Sequence, residues 1–122
     1  MANLGTPCNK GLKETFNLTT FHSGFLKLAI LKLVSVRPMH GYALMKEIYR
    51  LSDRTWKPSP GSVYPALGEL QSLGLIIQEV DGRKRVYRLT SAGEDVLADA
   101  VLHTQNGIRS LQGLLDYQPL DE

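Results

Sequence analysis

Apolar and polar positions fall into several distinct rhythms along this chain. Residues 23–36 (SGFLKLAILKLVSV) are apolar almost throughout, with Phe25, Leu28, Ala29, Leu31, Leu33 and Val34 leaving Lys27, Lys32 and Ser35 as a polar strip. By periodicity alone such a run fits a buried strand or a buried helix; its length and its lysine spacing select helix. Ser23 is placed to cap the first turn, and Pro38 stops the run. Residues 41–52 repeat apolar side chains at helical spacing, with Tyr42, Leu44, Met45, Ile48 and Leu51 inward and Lys46, Glu47 and Arg50 outward. Residues 53–59 are a turn that Pro58 keeps from continuing the helix.

Residues 60–73 predict a third helix with Val63, Leu67, Leu70 and either Ala66 or Leu73 on its buried side. Pro65 is harmless only in a first turn, where N–H groups lack helical partners. The helix is therefore expected to begin near Gly61 or Ser62, with Ser62 as its cap, and Gly74 closes it as the left-handed residue. Residues 75–80 and 83–89 read as two strands. Asp81-Gly82 between them favours a two-residue turn, which sets Val80 opposite Arg83 and Ile76 opposite Tyr87.

Residues 91–118 read as one long helix. Ser91 with Glu94 matches a capping box, and Glu94, Asp95 and Asp99 suit a helix N-terminus. Leu97, Val101, Thr104, Ile108, Leu111 and Leu115 recur at alternating spacings of four and three, a heptad seam. Gly107 and Gly113 weaken this helix by about 1 kcal/mol each relative to alanine. Such a helix would be roughly 42 Å long at about 1.5 Å per residue. That outruns a small body and leaves apolar surface for a partner helix, most simply a second copy.

The expected fold is mainly α with a small two-stranded β hairpin. The order is helix, helix, turn, helix, hairpin, long helix. That is a winged helix-turn-helix with a long C-terminal dimerisation helix. Residues 1–20, broken by Gly5, Pro7 and Gly11, read as a flexible arm, with Phe16, Leu18 and Phe21 as candidates for docking it onto the body. Residues 21–90 form the winged domain and residues 91–122 the dimerisation helix.

Composition narrows the classes. The chain has 122 residues, 43% hydrophobic and 21% charged, which suits one packed domain. No apolar run approaches the ~20 residues of a membrane span, and no signal-peptide pattern opens the chain, so a cytoplasmic protein is expected. Cys8 is the one cysteine, which excludes an intramolecular disulfide and a cysteine zinc site. His22, His40 and His103 are far apart in the chain, so neither a metal nor another cofactor is expected. No Ser-His-acid, Cys-His, paired-carboxylate or phosphate-loop arrangement is present, so no enzyme is expected.

Charge is split along the chain. Residues 1–90 carry 13 Lys and Arg against 6 Asp and Glu, a net +7, while residues 91–122 carry 1 against 6, a net −5. The basic part suits a polyanion. In the predicted architecture the third helix enters the major groove by its N-terminal end. There Ser59, Gly61, Ser62 and Tyr64 offer hydroxyls and backbone N–H groups, with Lys57 just before them. Arg83, Lys84 and Arg85 stand together at the hairpin tip, each able to displace a counterion from a phosphate backbone. The bland reading of these cations is an edge strand protected against aggregation.

Three stretches resemble the PadR-type transcriptional regulators. Residues 31–44 (LKLVSVRPMHGYAL) resemble their His-Gly-Tyr entry to the second helix. Residues 56–75 (WKPSPGSVYPALGELQSLGL) are similar to their recognition-helix signature, and residues 87–93 (YRLTSAG) to the close of their wing. The resemblance implies a homodimeric winged-helix repressor on a pseudo-palindromic operator. It places Gly41, Tyr42, Ser62, Tyr64 and the wing cations at or near double-stranded DNA, and allows a small aromatic or amphipathic effector between dimer halves. The chain departs from the pattern in its N-terminal arm, in ending after one long helix, and in its tight wing. The tight wing favours phosphate contact over base contact for Arg83 and Arg85.

Several residues carry two readings. Trp56 anchors the turn to the core or lines a ligand pocket. Tyr42 meets DNA or fills the gap between helices. His40 meets phosphate or caps the turn. His103 faces solvent or senses protons at a dimer interface. The rival function is a winged-helix protein-interaction adaptor whose wing charges bind an acidic partner.

Overall fold

The computed structural model describes residues 18–121, with side chains from Phe25 onward. Among these residues the chain forms α1 (Leu18–Val36), β1 (Met39–His40), α2 (Gly41–Leu51), α3 (Pro60–Ser72), β2 (Ile76–Asp81), β3 (Lys84–Leu89) and α4 (Ser91–Leu115). Cys8 and Phe16 of the expected arm lie outside the described residues. α1 begins at Leu18, so Ser23 sits inside it and does not cap its start.

α1 is the spine of the core. Its inward positions are Leu26, Ile30, Leu31 and Val34, while Phe25 at 39% exposure lies at the rim. Leu44 and Ile48 of α2 and Val63, Ala66, Leu67 and Leu70 of α3 close over it, joined by Met39, Ile76, Tyr87 and Leu97. Tyr42 and Leu51, expected in the buried stripe of α2, are 61% and 59% exposed because they stand at the ends of a short helix.

α3 starts one or two residues earlier than the sequence suggests. Ser59 occupies its N-cap and Pro60 its first position, and Ser62 is not the cap. Pro60 takes the proline-tolerant position, which leaves Pro65 inside the helix. Its C-terminus follows the expected pattern. Gly74 has φ +76, its N–H donates to Gln71 O, and the Leu75 N–H donates to Leu70 O at 3.0 Å. This pair of bonds is a Schellman motif, with Leu70 and Leu75 buried as its hydrophobic contact. Ala66, not Leu73, completes the buried stripe; Leu73 is 66% exposed.

The sheet has three strands, not two, in the order β1-β3-β2, all antiparallel. The short Met39–His40 segment pairs with Tyr87 and Val86 and ties the entry of α2 to the hairpin. The turn is Gly82-Arg83, not Asp81-Gly82. Asp81 opposes Lys84, Val80 opposes Arg85 and Ile76 opposes Leu89. Gly82 has φ +66 and Arg83 does not share a positive φ, the sign pattern of a type II′ turn.

The cap of α4 is Thr90, not the Ser91 and Glu94 box. Its hydroxyl accepts from the Gly93 N–H at 3.0 Å and donates to Gly74 O at 2.7 Å. One side chain thus joins the end of α3 to the start of α4. At 25 residues α4 is about 37 Å long. Leu97 is buried against the body, Val101 packs partly against it, and Thr104 is half-buried. Beyond these, Ile108, Leu111 and Leu115 are 59%, 52% and 79% exposed. No helix among the described residues is long and apolar enough to cross a membrane.

Candidate nucleic-acid interface

The short α2–α3 turn is built from backbone capping. The Ser52 hydroxyl accepts from the Trp56 N–H at 3.0 Å, and the Thr55 hydroxyl donates to Ser52 O. Asp53 and Arg54 both adopt positive φ, 53° and 62°, to reverse the chain in so few residues. Trp56 is half-buried and packs on the core, as its anchoring role requires. The turn thereby presents the N-terminal end of α3 on the same side of the molecule as the start of α2.

A cleft of about 490 Å³ runs between these two helix starts and the wing. His40, Gly41 and Tyr42 line it from β1 and α2, and Tyr64 from α3. Arg83, Lys84 and Arg85 line it from the wing, with Gln78 and Tyr87 on its floor. His40 is held through its backbone and through one ring nitrogen. Its backbone pairs with Val86, and its Nδ1 accepts the Ala43 N–H at 3.3 Å as the N-cap of α2. The capping reading of His40 therefore holds, and the ring still borders the cleft.

Gly41 is buried beneath Tyr64. A Cβ at Gly41 would stand 2.7 Å from the Tyr64 hydroxyl oxygen, so only glycine lets that ring lie across the start of α2. Tyr64 is 48% exposed, one side packed and the other open. Tyr87 behind it is buried, and burial is the main cause that raises its phenol pKa; the neighbouring Tyr64 adds to the rise and Arg85 opposes it. Gln78 Nε2 reaches the Tyr87 hydroxyl at 3.5 Å.

A second hollow, about 370 Å³, adjoins the first along α2. Lys57 lies 5.9 Å above the Tyr49 ring and Lys46 lies 5.5 Å above the Tyr42 ring, distances at which a cation is drawn to an aromatic face. The Ser59 hydroxyl donates to the Ser62 hydroxyl at 3.2 Å instead of capping α3. Ser59 lines this hollow, Gly61 and Ser62 are exposed beyond it, and a Cβ at Gly61 would meet nothing nearer than Ser59 Oγ at 3.7 Å.

The ion pairs among the described residues are Lys27 with Glu69, Arg50 with Glu47, and Arg88 with Glu79. None of these three pairs uses Lys46, Lys57, Arg83, Lys84 or Arg85. Sequence reasoning missed Lys46, Gln78 and Tyr87. Lys46 was legible as the residue one helical turn after Tyr42; the other two depend on hairpin register. No cluster of three His, Cys, Asp or Glu that could hold a metal is present among the described residues.

Helix-turn-helix, three-stranded wing and long final helix together define a winged helix-turn-helix protein. The chain belongs to the PadR-like family of transcriptional regulators, whose pattern matches residues 30–99. It is 41% identical over 80 residues to the transcriptional regulator YqjI of Escherichia coli, across 65% of this chain and 39% of that protein. It is 39% identical over 83 residues to the transcriptional regulator Rv3488 of Mycobacterium tuberculosis, across 65% of this chain and 75% of that protein. The chain thus spans well under half the length of YqjI. In fold it is similar to a PadR-like transcriptional regulator from Bacillus cereus, with a TM-score of 0.73 at 24% identity. That match covers 81% of this chain and 99% of the other.

Proposed function

We propose that this chain is a homodimeric, sequence-specific DNA-binding repressor. The observation that carries the reading is the cleft gathering His40, Gly41, Tyr42, Tyr64, Arg83, Lys84 and Arg85 from three separated stretches of the chain. In the complex α3 lies in the major groove, with Ser59, Gly61, Ser62 and Tyr64 nearest the bases. Lys57 and the wing cations hold phosphates, neutralising charge without reading sequence.

The dimer is formed through the outer part of α4. Leu97 and Val101 serve their own core, and Thr104 marks the change-over. Ile108, Leu111 and Leu115 continue the heptad spacing, and their exposure in the single chain supports a partner helix there. Two α3 helices related by a two-fold axis read half-sites about 34 Å apart, and the dimer represses by occupying the operator.

Selection of duplexes from a random library, with the mass of the free and bound protein measured in parallel, tests this. The expected result is a rough palindrome bound by two chains. A pool without a motif, or a monomer on a single half-site, overturns it.

A further inference from the structure

In the proposed complex α3 must read bases with few of the side chains that usually do so. Its 13 residues, PGSVYPALGELQS, contain no Lys, Arg, Asn or His. Glu69 is held by Lys27 of α1, and Gln71 stands in the last turn. The bidentate contact of Arg or Lys to guanine, the commonest specific contact in a major groove, is absent from this helix.

Pro65 supplies something in its place. In an α-helix the carbonyl of residue 61 accepts the N–H of residue 65, and proline has none. The Gly61 carbonyl therefore lacks its helical donor. Gly61 and Pro65 are four residues apart, share one face of α3, and are both exposed, opposite the buried Val63, Ala66, Leu67 and Leu70. Gly61 has no side chain to hold a duplex away, and the space where its Cβ would stand is open but for Ser59 Oγ at 3.7 Å.

A duplex pressed against this face strips water from that carbonyl, which loses free energy unless a donor replaces it. In the major groove the donors on base edges are the exocyclic amino groups of adenine N6 and cytosine N4. We propose that the backbone carbonyl of Gly61, released by Pro65, reads one adenine or cytosine amino group in each operator half-site. This rests on the DNA-reading function proposed above.

The test uses the full chain and the duplex recovered by selection. Each adenine is replaced in turn by purine, and each cytosine by 2-pyrimidinone, so that only the amino group is lost. Affinities are measured for the wild type and for Pro65→Ala, which restores the N–H. Pro65→Ser is a second variant with the same restored donor, and thermal unfolding checks that each folds. One position per half-site is expected to cost the wild type about fivefold on losing its amine, the worth of one hydrogen bond. The variants should not respond at that position. Weakened base pairing affects both proteins alike and cancels in the comparison. An equal loss in both, or no amine-sensitive position in the wild type, overturns the proposal and leaves sequence-specific binding standing. A selection without any motif removes the DNA-reading function itself, and the carbonyl contact with it.

Discussion

Gly41 and Tyr64 occupy one volume: a Cβ on Gly41 would lie 2.7 Å from the Tyr64 hydroxyl oxygen and 2.8 Å from Cε1 and Cζ of its ring. Gly41→Ala must therefore move the ring. Because Tyr64 is half exposed, the ring can swing toward solvent, and the stability cost should be about 1 kcal/mol, the low end for overpacking. Operator affinity should fall more than stability, since the displaced ring lines the cleft. In a Tyr64→Ala background the same Gly41→Ala change should cost nothing further, a coupling that a double-mutant cycle reads directly. Additive effects would show that the two residues act apart.

Gly93 is packed harder than Gly41. A Cβ there would stand 2.1 Å from the Leu75 carbonyl oxygen and 2.6 Å from Leu89 Cδ1. The first obstacle is backbone, so neither side can yield without moving α4 off the sheet. Gly93→Ala is expected to destabilise by about 3 kcal/mol or more. Thr90→Val removes the bonds to Gly93 N–H and Gly74 O and should cost about 1–2 kcal/mol. Urea titration of both variants checks the order of the two effects.

Tyr87 makes stability sensitive to alkali. Burial raises its phenol pKa above the ordinary value near 10. The folded chain then holds the proton more tightly than the unfolded one, so the contribution is complete below that ordinary value. It is lost as pH rises through the raised one. Tyr87→Phe keeps the ring and removes the titrating group, so its unfolding midpoint should fall less steeply above pH about 10 than that of the wild type. Parallel curves would assign the alkaline loss to other groups.

α2 and α4 were legible because each carries a helical period that one face satisfies, and α1 because its length and lysine spacing suit a buried helix rather than a strand. What escaped has physical causes. Met39–His40 is too short to show a period, so β1 is recognisable only from its partner in β3. The hairpin register was misread by two residues: Ile76 pairs with Leu89 instead of Tyr87. A shift of two preserves which face each side chain takes, so the apolar pattern is blind to it; the conformation at Gly82-Arg83 decides. Thr90 and Ser91 are both capping residues, and only the contact of Thr90 with Gly74 O favours the first. The cleft residues found from sequence were those at helix starts and the turn. Gln78 and Tyr87 depended on the register.

In the proposed dimer the exposed end of α4 serves self-association and not folding. Ile108 and Leu111 are 59% and 52% exposed in the single chain. Ile108→Glu with Leu111→Glu should leave the unfolding of the winged domain nearly unchanged while reducing the particle to one chain. Leu97→Glu, by contrast, buries a charge in the core and should unfold the protein itself. Sedimentation beside circular dichroism separates the two outcomes. A dimer that survives the double glutamate change would place the interface elsewhere.

The wing offers a contrast between cations that look alike in sequence. Arg83, Lys84 and Arg85 line the cleft and take no part in the ion pairs described. Arg88, three residues on, donates from Nε to Glu79 Oε1 at 2.9 Å, and that bond raises its already high pKa. Its charge is balanced on the strand and turned from the cleft lining. Replacing residues 83–85 with alanine should lower operator affinity. It should also reduce the slope of log affinity against log salt by about 0.9 for each phosphate contact removed. Arg88→Ala should leave the slope unchanged and cost only the small worth of an exposed pair. Ser62→Ala should do the reverse of the wing change: it should alter the preferred sequence and leave the salt slope in place, because a hydroxyl at a base edge releases no counterion. A salt slope that survives loss of all three wing cations would take the wing off the DNA and leave Lys46 and Lys57 as the phosphate anchors.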